Sequence, residues 1–90
     1  MQDLKKKLQE ENYLLHTLFE EQRAQSIRHS LKRISQLMTE IEQISGRYDR
    51  QVYKQILEVS NNMKAFLRNV FIVETFDELY KSIKRLVRLL

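Results

Sequence analysis

Two histidines and two pairs of neighbouring glutamates are the residues with which this 90-residue chain could do chemistry. His16 and His29 have no carboxylate at the spacing of a metal ligand, so the sequence offers no zinc or di-iron site. Glu10–Glu11 and Glu20–Glu21 are adjacent pairs, and adjacent side chains on a helix diverge by about 100°. Such pairs do not converge on a substrate as a general acid and base must. We therefore expect no enzymatic activity, no cofactor and no small-molecule substrate.

His29 is the candidate for group transfer, because it projects to the solvent side of a predicted helix beside Arg28 and one turn before Arg33. The stretch SIRHSLKRISQLM, followed by a helical hairpin, resembles the dimerising phosphotransfer hairpin of histidine kinases. In that family an exposed helical histidine accepts phosphate, so the resemblance implies that His29 is a phosphate acceptor. Ser30 stands where the family usually has an acidic residue that activates the histidine. The alternative is an ordinary surface histidine.

A second candidate is a basic stripe near the C-terminus, which consists of Lys81, Lys84, Arg85 and Arg88. On a helix these four cations fall within about 100° of one another. They could contact the phosphates of a nucleic acid or an anionic bilayer surface, with the membrane the less favoured partner. No aromatic or amide residue interleaves them to stack on or read bases. The alternative is the solvated face that a terminal helix needs.

Composition predicts an all-α protein. The chain has one glycine, no proline and no cysteine, so it lacks most residues that punctuate turns and strands. Sixteen basic residues against 12 acidic ones give a formal charge of +4, which permits nucleic-acid binding without implying it. No window approaches the roughly 18 apolar residues of a membrane span. We expect a single soluble, cytoplasmic domain over residues 1–90.

The N-terminal half carries two apolar stripes at helical spacing, which predict helices over residues 2–20 and 26–45. The stripes differ in phase by roughly 125°, so one straight helix could not present both to the same partner surface. Either the chain breaks near residues 20–26, or a continuous helix faces different neighbours along its length. We favour one long helix with a kink or a short break.

The C-terminal half is divided by predicted caps. Gly46 stands where the second stripe ends, so we expect a left-handed residue that terminates the helix there. A long apolar stripe predicts a helix over 48–73, broad enough to make it the centre of a bundle. Thr75 and Glu78 have capping-box spacing, which predicts a last helix over 76–90. The expected architecture is an antiparallel helical hairpin or small helical bundle with coiled-coil-like packing.

The densest apolar stretch predicts a protein interface. A four-residue apolar run on a helix points outward on several sides at once, so one side must contact something other than the core of this chain. We expect that surface to form a homodimer or higher assembly, or to bind a helix of another protein. The sequence thus favours a helical interaction or oligomerisation module, with nucleic-acid binding as the alternative. The predicted interface comprises Phe66, Val70, Phe71, Ile72, Val73 and Phe76.

Overall fold

The chain folds as helices joined by short turns, as its composition predicts. The computed structural model describes residues 1–46 and 49–90. Helix α1 spans Gln2–Glu20 and α2 spans Ala24–Ile41, which a π-helical turn extends over Glu42–Gly46. Helix α3 spans Arg50–Arg68 and α4 spans Val73–Leu89. The predicted all-α small helical bundle is confirmed.

The helices pair as two hairpins. Helix α1 packs along α2, α3 packs along α4, and α1 also packs against α4 to join the hairpins. Fully buried serines lie where helices approach closely, Ser30 in the first hairpin and Ser82 in the second. Helices α2 and α3 make the fewest contacts of these neighbouring pairs. The bundle is therefore closed on three sides and, beyond the π-helical turn, which packs against α3, it is open between α2 and α3.

One apolar core runs through the bundle. On α3 the buried residues recur in alternating steps of four and three, which is the spacing of coiled-coil packing. The stripes predicted for α1, α2 and α4 are likewise the buried faces of those helices. The largest fully buried apolar side chains are Phe66, Leu8, Leu15, Ile27, Ile34, Ile41, Leu79, Ile83 and Leu86.

A left-handed residue ends α1 at the point where the two N-terminal stripes change phase. Gln22 has φ of 57°, its amide donates to the Phe19 carbonyl at 3.1 Å, and the Arg23 amide donates to the Leu18 carbonyl at 3.1 Å. This pair of hydrogen bonds is a Schellman motif, with Gln22 in the position that glycine usually takes. The chain therefore breaks within residues 20–26, which is one of the two predicted alternatives, and a continuous kinked helix is wrong.

Gly46 marks a helix boundary, since it is the last residue of the π-helical turn. The left-handed conformation predicted for it stays a prediction. The predicted start of the next helix at Tyr48 lies outside the described residues. Helix α3 is capped by Asp49, whose side chain accepts from the Gln51 amide at 2.9 Å and the Val52 amide at 3.3 Å.

Helix α3 ends at Arg68, five residues before the predicted end of the 48–73 helix. Asn69 adopts an extended backbone with φ of −154°, and the turn that follows carries Val70 back into the core. Asparagine and the β-branched residues after it have low helix propensity, so the helix does not continue. In the apolar run Val70–Val73, the first three residues consequently lie in the turn and Val73 begins α4.

Helix α4 begins at Val73, before the start predicted at Phe76. The residue that caps it is Ile72, which makes no side-chain hydrogen bond to the first turn. The Thr75 hydroxyl donates to the Ile72 carbonyl at 3.1 Å and is already inside the helix. The capping box predicted for Thr75 and Glu78 is therefore wrong, although the apolar face predicted for this helix is its buried face.

Helix α3 is not the centre of the bundle. Tyr53, Leu57 and Leu67 widen its apolar arc in sequence, but each is more than two-fifths exposed. The inward side of α3 is covered mainly by α4, since the contacts with α2 are sparse. Part of the broad apolar face is thus left uncovered.

Candidate functional site

The residues predicted to form an interface divide into two groups. Phe66, Val70 and Phe76 are buried in the core of the chain itself, so they are not available to a partner. Phe71, Ile72 and Val73 are 44%, 40% and 56% exposed, respectively. We call the second group the turn patch, because it lies at the α3–α4 turn. Only this half of the predicted interface could touch another molecule.

An aromatic cluster anchors the turn patch to the bundle. Phe19 at the end of α1 stacks on Phe76 with ring centroids 4.0 Å apart, and it also approaches Phe66 and Phe71 at 6.1 and 6.3 Å. Offset and tilted aromatic pairs add to the free energy of burial. The backbone of the turn is therefore held in place, while Phe71 keeps part of its ring in solvent.

The open side of the bundle contains an apolar groove, which we call the α2–α3 groove. Its volume is about 480 Å³, and Leu31 and Met63 line it as nearly buried residues. The hydroxyl of Ser35 donates to the Met63 sulfur at 3.4 Å, which ties the two helices together at that level. The lining residues are Arg28, Leu31, Lys32, Ser35 and Gln36 of α2 and Met63 and Leu67 of α3.

Cations flank this groove. Arg28 and Lys32 belong to its lining, and Lys64 is exposed on α3 three residues before Leu67. No carboxylate lines the groove, and within residues 1–46 and 49–90 none of these three cations forms an ion pair. This site was not predicted from the sequence, because α2 and α3 come together only through the fold. The available signal was the wide apolar arc of α3, which Leu67 extends.

The predicted basic stripe is exposed on α4 and surrounds a depression of about 250 Å³ lined by Lys81, Lys84, Arg85 and Arg88. Arg85 donates to the Glu58 carboxylate of α3 at 2.9 Å, so part of its charge is used within the chain. The Lys84 ammonium lies 5.3 Å from the centre of the Tyr80 ring. The stripe is thus available to solvent, with one of its four members paired.

Helix α1 brings amide and aromatic side chains to the edge of this stripe. A depression of about 200 Å³ between α1 and α4 is lined by Gln9, Asn12 and Tyr13 together with Tyr80, Lys84, Val87 and Arg88. No aromatic or amide residue lies between the cations of the stripe in the sequence, as stated above. The fold nevertheless brings aromatic and amide side chains of α1 beside the stripe. This contact between distant segments has no local sequence signal.

Asn12 is a buried polar residue at the α1–α4 contact. It is 3% exposed, and its amide donates to the Tyr80 carbonyl at 3.4 Å. Within the described part of the chain its Oδ1 has no hydrogen-bond partner. A buried acceptor without a partner costs about 1–3 kcal/mol. Asn12 is therefore a local weakness in the packing of the two hairpins.

His29 is exposed on α2, as predicted, and its role as phosphate acceptor stays a prediction. Ser30 beside it is fully buried and donates to Glu11 Oε1 at 2.9 Å. Arg33 Nε donates to the same oxygen at 2.8 Å. The acidic residue near this part of α2 is therefore engaged in fastening α1 to α2.

His16 lies in aromatic surroundings on α1. Its ring centroid is 5.1 Å from that of Tyr80, and its Nδ1 lies 3.2 Å from the Glu20 carboxylate. In the described ranges, no group of three histidine, cysteine, aspartate or glutamate side chains could hold a metal ion. Over the same ranges, no helix has both the length and the apolar character needed to cross a membrane.

Comparisons of the chain with protein families, with curated proteins and with solved structures find no match. The candidate surfaces are therefore assessed on their geometry and chemistry.

Proposed function

We propose that this protein is a non-enzymatic, cytoplasmic helical protein-interaction module that acts as an adaptor, regulator or assembly factor. The observation that supports the proposal is the open side of the bundle, where the α2–α3 groove exposes apolar surface. Leu67 is 43% exposed there, although it belongs to a helix whose other face supplies the core. Large exposed apolar surfaces on small proteins commonly mark sites of protein binding.

The turn patch supplies a second exposed apolar surface. Phe71, Ile72 and Val73 follow one another in the chain, and the aromatic cluster holds their turn against the bundle. Burying one phenylalanine contributes on the order of 2 kcal/mol, so a few such residues can offset part of the cost of association. We propose a homodimer through the turn patch as the form of self-association.

Aspartate substitutions test this function. Leu67→Asp and Phe71→Asp should each leave the protein folded, because both side chains already contact solvent. Loss of partner capture with Leu67→Asp assigns the α2–α3 groove, and loss of dimer with Phe71→Asp assigns the turn patch. Leu14→Asp is the matched control, since Leu14 is an exposed leucine on α1.

Circular dichroism measures the fold of each variant, and sedimentation equilibrium measures its mass at about 100 μM, where an interface of modest affinity is populated. Affinity capture from cells measures partner binding. Two results together would contradict the proposal. The first is a wild-type protein that stays monomeric at that concentration. The second is capture of the same set of proteins by the wild type, Leu67→Asp and Phe71→Asp.

The second candidate function is nucleic-acid binding on α4. It is favoured by one observation, the depression that places Asn12 and Tyr13 beside Lys84 and Arg88. Proteins that bind single strands combine cations for the backbone with aromatic rings for base stacking. The pairing of Arg85 with Glu58 reduces the free charge of the stripe, so this function ranks second.

A further inference from the structure

We infer that the α2–α3 groove receives an amphipathic helix with acidic flanks from another protein. This inference rests on the proposed function, because it names the chemistry of the partner at the same surface. It is carried by the shape of the groove, by the apolar character of its lining and by the sign of the charges around it.

The groove has the shape of a helix-binding site. Its α2 side runs from Arg28 to Gln36, which at 1.5 Å per residue is about 12 Å, or roughly two helical turns. Leu31 and Met63 line it as nearly buried residues, and Leu67 is exposed at its α3 edge. Helices that bind in grooves insert apolar residues at positions i, i+3 or i+4, and i+7, which span about two turns. The length and lining therefore match one such helix.

The flanking charges specify an acidic partner. Arg28 and Lys32 line the groove on its α2 side, and Lys64 is exposed on α3 in the position after Met63. The depression between α1 and α2 is different, because Glu10, Glu11 and Glu40 line it together with cations. Opposite charge around an apolar centre increases association rate and selects between partners. Glutamate or aspartate beside the apolar stripe of the partner would meet Arg28 and Lys32.

A second copy of this chain is a poorer occupant. In a two-fold dimer the same patch meets itself, so the cations of this surface would face their equivalents. Like charges across an interface oppose association. A homodimer would accordingly use the turn patch and leave the α2–α3 groove to a different protein.

Two synthetic peptides test the inference. Both are helical, about 14 residues long, and carry leucines at i, i+4 and i+7. The acidic peptide has glutamates beside the leucines, and the basic peptide has lysines at the same positions. Titration of ¹⁵N-labelled protein by NMR gives the affinity and the binding surface together. We expect the acidic peptide to bind, with shifts over residues 28–36 and 63–67, and the basic peptide to bind at least tenfold more weakly.

Charge-reversed variants separate the groove from the basic stripe of α4. The double variant Arg28→Glu with Lys32→Glu should weaken the acidic peptide about threefold to tenfold and strengthen the basic one. The matched control is Lys84→Glu with Arg88→Glu, which reverses two exposed cations of α4 and should leave both affinities unchanged.

The inference is overturned if the acidic peptide fails to bind at about 1 mM, if both peptides bind equally, or if the shifts lie on α4. The proposed function is not contradicted by these results if the wild-type protein dimerises through the turn patch. It is also not contradicted if the Leu67→Asp variant loses a partner that the wild-type protein captures. If the wild-type protein binds neither peptide, forms no dimer and captures no partner, both the inference and the proposed function are wrong. Failure of the inference alone is therefore distinguishable from failure of the proposed function.

Discussion

The rings of Phe19 and Phe76 stack face to face, with centroids 4.0 Å apart and planes inclined by 4°. Phe19 lies in the last turn of α1 and Phe76 in the first turn of α4, so this stack joins the two hairpins near both of their turns. Phe66 packs against Phe76 at 5.8 Å and extends the cluster to α3. The cluster therefore connects three helices at one end of the bundle.

Removal of the Phe76 ring should destabilise the protein strongly. Phe76 is 3% exposed, and Phe76→Ala leaves a cavity beside Phe19 and Phe66. We expect the free energy of unfolding to fall by about 3–5 kcal/mol, measured by urea denaturation. Phe71→Ala is the matched control and should cost less than half as much, because Phe71 is 44% exposed. Equal losses would contradict the assignment of these rings to core and surface.

Replacement of Gln22 by glycine should stabilise the protein. Its φ of 57° is unfavourable for a residue with a Cβ and open to glycine, so Gln22→Gly relieves strain in the folded state. Glycine also has greater conformational freedom in the unfolded chain, which partly offsets this stabilisation. The net rise in the free energy of unfolding should be about 0.5–1 kcal/mol. Thermal unfolding measures the change. Gln22→Val should lower the melting temperature, and a fall with Gln22→Gly would contradict the Schellman geometry.

Substitution of Asn12 by leucine should also stabilise the fold. Leucine has the same number and branching of heavy atoms and removes the unpartnered Oδ1, while the hydrogen bond lost to the Tyr80 carbonyl is long at 3.4 Å. We expect the free energy of unfolding to rise by about 1 kcal/mol. Asn12→Asp should lower it, because a carboxylate would be buried without a partner. Destabilisation by Asn12→Leu would show that Oδ1 has a hydrogen-bond partner such as water.

The basic stripe gives a direct test of nucleic-acid binding. Replacing Lys81, Lys84, Arg85 and Arg88 by glutamine should abolish retention on single-stranded RNA or DNA, and wild-type binding should weaken steeply with salt. Tyr13→Ala should weaken binding through lost stacking without changing the salt slope. Filter binding at about 50 mM salt measures both effects. If the wild-type protein is not retained at that salt concentration, the stripe is a solvated helix face.

Much of the fold follows from spacing in the sequence. The stripes that include Leu8 and Ile34 are buried faces of their helices because period alone determines which side chains share a face. The ends of the elements were less predictable. Gln22 takes a conformation typical of glycine, and the turn at Asn69–Ile72 is made from residues typical of a core. Burial of Val70 and Phe76 acts together with the low helix propensity of Asn69 to place the turn there.

The candidate sites were less predictable than the fold, because they depend on pairs of helices. A basic stripe lies on one helix, so its four residues share a face and could be found from the sequence. The α2–α3 groove joins Lys32 to Leu67, and the α4 depression joins Tyr13 to Arg88. Neither pairing has a local signal. The exposure of an apolar residue also depends on how closely neighbouring helices pack. The periodicity of the sequence does not determine that distance.

The pairing of helices into hairpins has a consequence for the order of folding. Hydrogen bonds within the hairpins, such as Ser30 to Glu11 and Gln55 to Ser82, join residues 19 and 27 positions apart. The bond from Asn12 to Tyr80 spans 68 positions. Short loops close at a lower entropic cost than long ones, and helical proteins rich in local contacts fold in microseconds to milliseconds. Each hairpin should thus form before the two combine, which makes docking of α1 on α4 the late step of folding.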